Sequence, residues 1–449
     1  MAVPRRTRGL ETTTDASYER GNRRWLPLLY FLKTDRITIM YKESTLDNGL
    51  KILTYEDTSI PVIDINLVFK AGSRYEESHQ KGYAHILEHM LLKGTTKRPS
   101  PVLISKEIDN KGGYKNAHTG RESLTMVLQA ADNYSEELFE LLSDMLLNSL
   151  IDPTILENEK KVIVEELKKA EDNTDSFFSR LTYSKLFDGH PLASNILGNS
   201  ESILSATTDE LKKYKEKFLV PSNAALIVAG NINHARVVEL TQKYFSAWSG
   251  NKLTLPSVEF STPLNKPYFY TKDIKQTIVA YNLYTCPAIQ TREFLALELV
   301  RTFLNFGGSS VLNEELRHKR GLVYSVGVYN ATFRDAGLFW IRTSTTKPKE
   351  TVKTIEAIIH NLKNLFTAEL LDGIKARRVG AFKRYIANPY NQTDFLADGF
   401  LDLDKLITPE EYIAEISSIT YDEILHVLDT YLVPEKSVIT AIGPEDFTA

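Results

Sequence analysis

Two hydrophobic periods alternate along the chain. Leu50 to Tyr55 and Val62 to Phe69 follow the two-residue period of half-buried strands, and Asp47-Asn48-Gly49 supplies a hairpin turn ahead of them. The 3.6-residue period then takes over from Gly82 to Thr95. It returns in Pro99 to Lys111, which opens at Ser100-Pro101 and stops at Gly112-Gly113. Leu124 to Gln129 reads as a strand, Glu136 to Leu150 as an amphipathic helix, and Pro153 to about Phe187 as one long charged helical segment. Ala224 to Ala229 is an apolar run of the kind buried on both faces, and Ala235 to Trp248 is again helical.

Residues 251–266, rich in Pro, Ser and Asn, break the pattern and read as a linker. Beyond it the order repeats: strand Thr277 to Leu283, helices Phe294 to Leu304 and Ser310 to Arg317, strands Val323 to Tyr329 and Leu338 to Thr345. Phe218-Leu219-Val220-Pro221 through Gly230 lines up with Tyr431-Leu432-Val433-Pro434 through Gly443 at an offset of 213. The expected fold class is therefore α+β, with two homologous domains at 40–250 and 267–449, each a mainly antiparallel sheet with helices packed on one face. Residues 1–39 scatter Arg5, Arg6, Arg8, Arg20, Arg23 and Arg24 among Thr, Gly and Asp without an apolar period, so a disordered or loosely attached extension is expected there. Met40 is an alternative start.

A length of 449 residues exceeds what one hydrophobic core serves, in keeping with two domains. With 42% apolar residues, 25% charged residues and a net charge of −4, the chain reads as a soluble globular protein and not as a nucleic-acid binder. Trp25 to Leu32 is too short to span a bilayer, and no small-residue cleavage site follows it. Glu11, Asp15 and Glu19 oppose an organelle transit peptide. The expectation is a cytoplasmic protein without a membrane partner. A single cysteine, Cys286, excludes an intramolecular disulfide framework and a cysteine-ligated zinc, so any metal must be held by His and carboxylate.

Such a set stands at His85-Ile86-Leu87-Glu88-His89. On a helix the two imidazoles share one face, with Glu88 on the adjoining turn. The order His-x-x-Glu-His is the inverted zincin arrangement: two ligands for one Zn²⁺, and a carboxylate placed to take a proton from water. A hydrolytic zinc site usually has a third protein ligand. Glu157, Glu159, Glu165 and Glu166 on the long helix are the candidates, each of which could equally be an exposed glutamate. At the offset of 213, Glu298, Arg301 and Thr302 stand opposite His85, Glu88 and His89, so the second copy lacks metal ligands. His118 reads as a strand residue. His79, His234, His318, His360 and His426 have no partner spacing and are expected to be structural.

Over residues 46–445 the chain resembles the pitrilysin (M16) family of zinc metallopeptidases, in particular its processing-peptidase-like and bacterial half-length members. The resemblance rests on the His85 to His89 motif with Lys93-Gly94-Thr95, on Gly112-Gly113-Tyr114-Lys115-Asn116-Ala117-His118-Thr119, and on Val162-Ile163-Val164-Glu165-Glu166. His190-Pro191 with Ile196-Leu197-Gly198, and Leu316-Arg317 through Val323-Tyr324, complete the ordered set. What the resemblance implies is a zinc endopeptidase cutting unfolded peptides inside a closed chamber. The family's distal glutamate ligand lies 76 or 77 positions beyond the second histidine, at Glu165 or Glu166, and counting from the Asn-Ala-x-Thr strand selects Glu166. Glu159 is implied as the carboxylate behind a ligand histidine. Asn116 and Ala117 are implied on an edge strand that receives substrate, and Arg317 with Tyr324 as donors to the oxyanion.

The chamber of this family is closed by four such domains, which implies a homodimer or a heterodimer with a homologous subunit. The rival reading is a non-catalytic or regulatory subunit of a processing-peptidase-like complex, against which the complete metal motif argues. A fragment ending near Leu255 is expected to bind zinc yet cleave nothing.

Overall fold

The computed structural model describes residues 40–256, 258–260, 266–288, 291–403 and 407–448. The expected extension at 1–39 lies outside the described residues, as does part of the expected linker. The first half runs β1 (Met40–Thr45), β2 (Lys51–Glu56), β3 (Val62–Phe69), α1 (Tyr83–Leu91), α2 (Pro101–Asp109), β4 (Tyr114–Thr119), β5 (Leu124–Ala131), α3 (Ser135–Leu147), α4 (Pro153–Asp172), α5 (Thr174–Leu186), α6 (Ser200–Ser205), α7 (Thr208–Phe218), β6 (Ala224–Gly230) and α8 (His234–Phe245). The second runs β7 (Tyr268–Thr271), β8 (Thr277–Thr285), α9 (Thr291–Asn305), β9 (Val326–Thr332), β10 (Gly337–Thr345), α10 (Pro348–His360), α11 (Leu362–Leu365), α12 (Ala368–Tyr385), α13 (Pro389–Leu403), α14 (Pro409–Ser418), α15 (Tyr421–Thr430) and β11 (Val438–Gly443).

Two sheets result, ordered β1-β2-β6-β3-β5-β4 and β7-β11-β8-β10-β9. All pairings are antiparallel except β2 with β6 and β7 with β11, which correspond to each other in the repeat. The fold is α+β in two domains, and the offset of 213 carries α3 onto α10 residue for residue. β4 and β9 are the corresponding free edges.

Within each half, the helices other than α5 and α13 pack on one face of the half's own sheet. Alternation puts Ile63, Ile65, Leu67 and Phe69 of β3 into that core together with Ala84, Leu87 and Leu91 of α1. The opposite face of each sheet is covered by a helix from the other half. Leu396, Ala397 and Phe400 of α13 pack on Leu53, Tyr55, Val68 and Ile227. Reciprocally, Phe178 of α5 packs on Ile278, Ala280 and Ile442. Each fully buried Leu or Phe in these contacts is worth roughly 2 kcal/mol. Two hydrogen bonds also cross the first of these faces: Thr393 Oγ1 donates to Asp64 Oδ2 at 2.5 Å and Asn66 Nδ2 donates to Thr393 Oγ1 at 3.0 Å.

Two sequence expectations change. The charged segment from Pro153 is two helices, because Asn173 leaves helical geometry and its side chain accepts from Ser176 N, starting α5 afresh. The segment expected as an ordinary helix from Ser310 to Arg317 contains a π-helix at Asn313–Lys319, an irregularity frequent at functional sites.

Candidate metal centre

The geometry of α1 is set before its first turn. Gly82, the residue that caps it, has φ 97°, and a Cβ there would meet Leu197 O at 3.0 Å and Gly198 Cα at 3.1 Å, so only glycine fits without displacement. Glycine has no side chain to satisfy the helix's free N–H groups. Glu76 does this instead, with Oε2 accepting from Gly82 N at 2.8 Å and Oε1 from Ala84 N at 2.9 Å. Burial pushes the Glu76 carboxyl up to about 7, against the pull of these N–H groups and of Lys81. The apolar side of α1 sinks into the core, which turns His85, Glu88 and His89 toward α4 and β4.

The imidazoles of His85 and His89 stand edge to face with ring centroids 4.7 Å apart. Glu166 Oε2 on α4 lies 3.7 Å from His85 Nε2 and 3.7 Å from His89 Nε2. Neither distance is a hydrogen bond. Burial, with His89 beside it, lowers His85 to about 4, so its ring is neutral near pH 7. A neutral imidazole and a carboxylate thus face each other with no proton bridging them. Such a convergence of lone pairs fits a cation, and two His with one carboxylate are the ligand types zinc takes in hydrolytic sites.

Proximity alone leaves the third ligand open, since donor atoms of His85, Glu88 and His89 all lie within 4.8 Å of one another. Glu166 is the better fit because one of its oxygens is equidistant from both Nε2 atoms. Glu88 is engaged elsewhere: Thr119 Oγ1 at the end of β4 donates to its Oε2 at 2.6 Å. Burial raises Glu88, with Glu166 adding to the effect while Thr119 and His89 oppose it. A carboxyl raised in this way is a stronger base than an ordinary glutamate. Glu165, the other candidate, is 72% exposed and pairs with Lys168 at 2.7 Å. Glu157 pairs with Lys160.

Glu159 sits behind His89. Its Oε2 is 3.1 Å from His89 Nδ1, and its Oε1 is 2.9 Å from Lys93 Nζ. Burial pushes Glu159 up, but Lys93 and His89 outweigh it and hold the carboxylate below its usual range. Asn116 is exposed and Ala117 buried on β4, the free edge that ends at Thr119 beside Glu88. Arg317 and Tyr324 stack on each other, the guanidinium carbon 5.2 Å from the ring centroid, and Tyr324 is 82% exposed. No hydrogen bond or ion pair joins either to the cluster among the described residues. His118 lies in β4 as expected, and burial lowers it. His234 is held by Ser44 and Thr54.

Three contributors escaped the sequence reading: Glu76, Lys93 in its pairing role, and Thr119 as the clamp on Glu88. A helix starting at a glycine with no Ser, Thr, Asp or Asn beside it is the available signal for an outside cap such as Glu76. Among the described residues no second metal-like cluster occurs, and no helix is long and apolar enough to cross a membrane.

Residues 51–200 match the family model described as insulinase (peptidase family M16), and residues 205–378 match the M16 inactive domain. The chain is 30% identical over 414 residues to an uncharacterized zinc protease of Rickettsia felis, covering 90% of this chain and 97% of that one. It is 26% identical to a probable mitochondrial-processing peptidase subunit beta of Arabidopsis thaliana, covering 89% and 78% of the two chains. A crystal structure of a protease from Helicobacter pylori superposes with a TM-score of 0.82 at 22% identity, over 90% of this chain and 99% of that one, and so shares the fold.

Proposed function

This chain belongs to peptidase family M16, and from that premise we propose that it is a zinc-dependent endopeptidase cleaving unfolded peptides inside a closed chamber. The observation that carries the proposal is Glu166 Oε2 at 3.7 Å from both Nε2 atoms, with Glu88 clamped alongside by Thr119. In this reading His85, His89 and Glu166 hold Zn²⁺. When bound, zinc would polarise the scissile carbonyl and lower the pKa of water.

The remaining steps fall to the chain's own side chains. Glu88 takes the proton of the attacking water and passes it to the leaving amine, with Thr119 fixing one of its oxygens. Arg317 and Tyr324 donate hydrogen bonds to the carbonyl oxygen as negative charge builds on it. Peptide backbone pairs with the free edge of β4 at Asn116 and Ala117, a contact nearly blind to sequence. Residues 40–250 thus carry the metal chemistry, while 267–449 supply the oxyanion donors and part of the wall. A second copy or a homologous subunit closes the chamber, and the cytoplasmic location expected from the sequence belongs to the same reading.

The test is Glu88→Gln in the full-length protein. Zinc content and peptide binding should persist while turnover of an unstructured peptide falls by roughly 10²- to 10⁴-fold. Turnover that survives this change, or that survives complete chelation of the metal, would overturn the reading.

A further inference from the structure

The second half has kept the place of the metal site and changed its chemistry. At the offset of 213, Glu298 on α9 stands where His85 does and Arg301 where Glu88 does. Arg378 lies on α12, the counterpart of α4, at the position matching Glu165. Glu298 is 3% exposed and fully hydrogen-bonded. It accepts from Arg301 Nε at 2.8 Å and Nη2 at 2.7 Å, from Asn330 Nδ2 at 3.3 Å, and pairs with Arg378 Nη2 at 2.9 Å. Arg378 Nε donates to Tyr412 Oη at 2.9 Å.

Two guanidinium groups therefore face one carboxylate, and a single positive charge is left over. Neutralising Glu298 requires only one arginine. A second one that is mostly removed from water is costly unless something else answers its charge. Its side chain is 20% exposed and that of Arg301 32%. The donor inventory points the same way. Arg301 uses Nε and Nη2, Arg378 uses Nε and Nη2, and the Nη1 group of each has no partner among the described residues. Both arginines line one cleft of about 220 Å³, together with Thr302, Asn305, Phe306 and Ala381.

The neighbouring edge narrows what the cleft can take. Asn305, with its amide turned to satisfy both groups, donates to Val326 O at 3.0 Å and accepts from Val328 N at 3.2 Å. These groups belong to β9, the free edge of the second sheet, so at this end the strand's backbone is already capped by a side chain. An extended peptide cannot add here as it can along β4. What remains is a compact anionic group presented to two guanidinium donors.

We infer that this cleft is an oxyanion-binding site in which the free Nη1 groups of Arg301 and Arg378 hold a carboxylate or a phosphate. The site needs no zinc and does not depend on the peptidase reading. The oxyanion can come from a peptide C-terminus or from free phosphate, which share planar or tetrahedral oxygens suited to guanidinium forks.

The test uses full-length protein carrying Glu88→Gln, titrated by calorimetry with N-acetylglycine, with N-acetylglycine amide and with inorganic phosphate. A saturable component should appear with the acid or with phosphate and be at least roughly tenfold weaker with the amide, the worth of one charge-assisted hydrogen bond. Acid binding identifies a peptide carboxylate as ligand, and phosphate binding alone identifies a free anion. Ala381→Leu fills the cleft without touching the Glu298 network and should remove that component at unchanged melting temperature. Arg301→Lys preserves the charge beside Glu298 but loses the fork, so affinity should fall about tenfold. Absence of any saturable component, or a component that both variants leave intact, would overturn the inference.

Discussion

His89 Nδ1 lies 3.1 Å from Glu159 Oε2, and Lys93 Nζ holds the other oxygen of the same carboxylate at 2.9 Å. The two contacts fix the ring so that Nε2 faces Glu166. A carboxylate in this position also raises the basicity of the imidazole as a ligand. Glu159→Gln keeps the shape and removes the charge. Metal affinity, measured by competition with a chelator, should fall about 10- to 100-fold. An unchanged affinity would show that Glu159 is only a partner for Lys93.

Glu76 closes the N-terminus of α1 through two backbone N–H groups. Glu76→Ala leaves both donors buried and unpaired, at a cost of about 2–4 kcal/mol. Chemical unfolding of the metal-free protein should show this loss. Glu76→Gln offers one acceptor oxygen in place of two and should recover only about half of the loss; no loss in either variant would show that the cap is dispensable.

Asp64 is fully buried under α13, and burial raises its carboxyl to about 6, with Thr393 opposing and Asp394 adding to the rise. The folded state therefore binds this proton more tightly than the unfolded chain, whose value is near 3.8. Stability from this site is complete below the unfolded value and declines as pH rises through about 6. Asp64→Asn should be stabilising by up to about 3 kcal/mol near pH 8 and nearly neutral near pH 3. Equal effects at both pH values would contradict the assignment.

Tyr324 is 82% exposed, so replacing it should disturb neither fold nor metal. If its hydroxyl serves the oxyanion, Tyr324→Phe lowers kcat by roughly 10²-fold with zinc content unchanged. A change confined to KM would assign the side chain to substrate binding instead.

From the sequence, a fragment ending near Leu255 is expected to bind zinc yet cleave nothing, and the packing of α13 bears on the first half of that expectation. Without α13, the face formed by Leu53, Tyr55, Val68 and Ile227 is exposed to water. We predict a fragment that aggregates and holds zinc poorly, as read by light scattering and metal analysis. A monomeric fragment with full zinc occupancy would show that α13 is dispensable.

Much of this protein was legible in one dimension because its signals are local. His85, Glu88 and His89 lie on one turn-spaced helical face, and Ser100-Pro101 begins a helix by its own side chain and ring. The repeat survives as a constant offset, so the loss of metal ligands at Glu298, Arg301 and Thr302 follows from counting. The choice between Glu165 and Glu166 is different, since it was the family resemblance, and no local signal, that selected Glu166. Adjacent helical residues point about 100° apart, and only the packing of α4 on α1 determines which of them meets the imidazoles and which meets Lys168. The same holds for Glu76, nine residues from His85, and for Arg378, which reaches Glu298 across 80 residues. The exchange of α5 and α13 between the sheets was equally invisible, since an apolar strand face records that it is buried but not by what. Periodicity reports which side of an element avoids water. The partner on that side is selected by the whole chain, through the shape and charge of surfaces that meet only after folding.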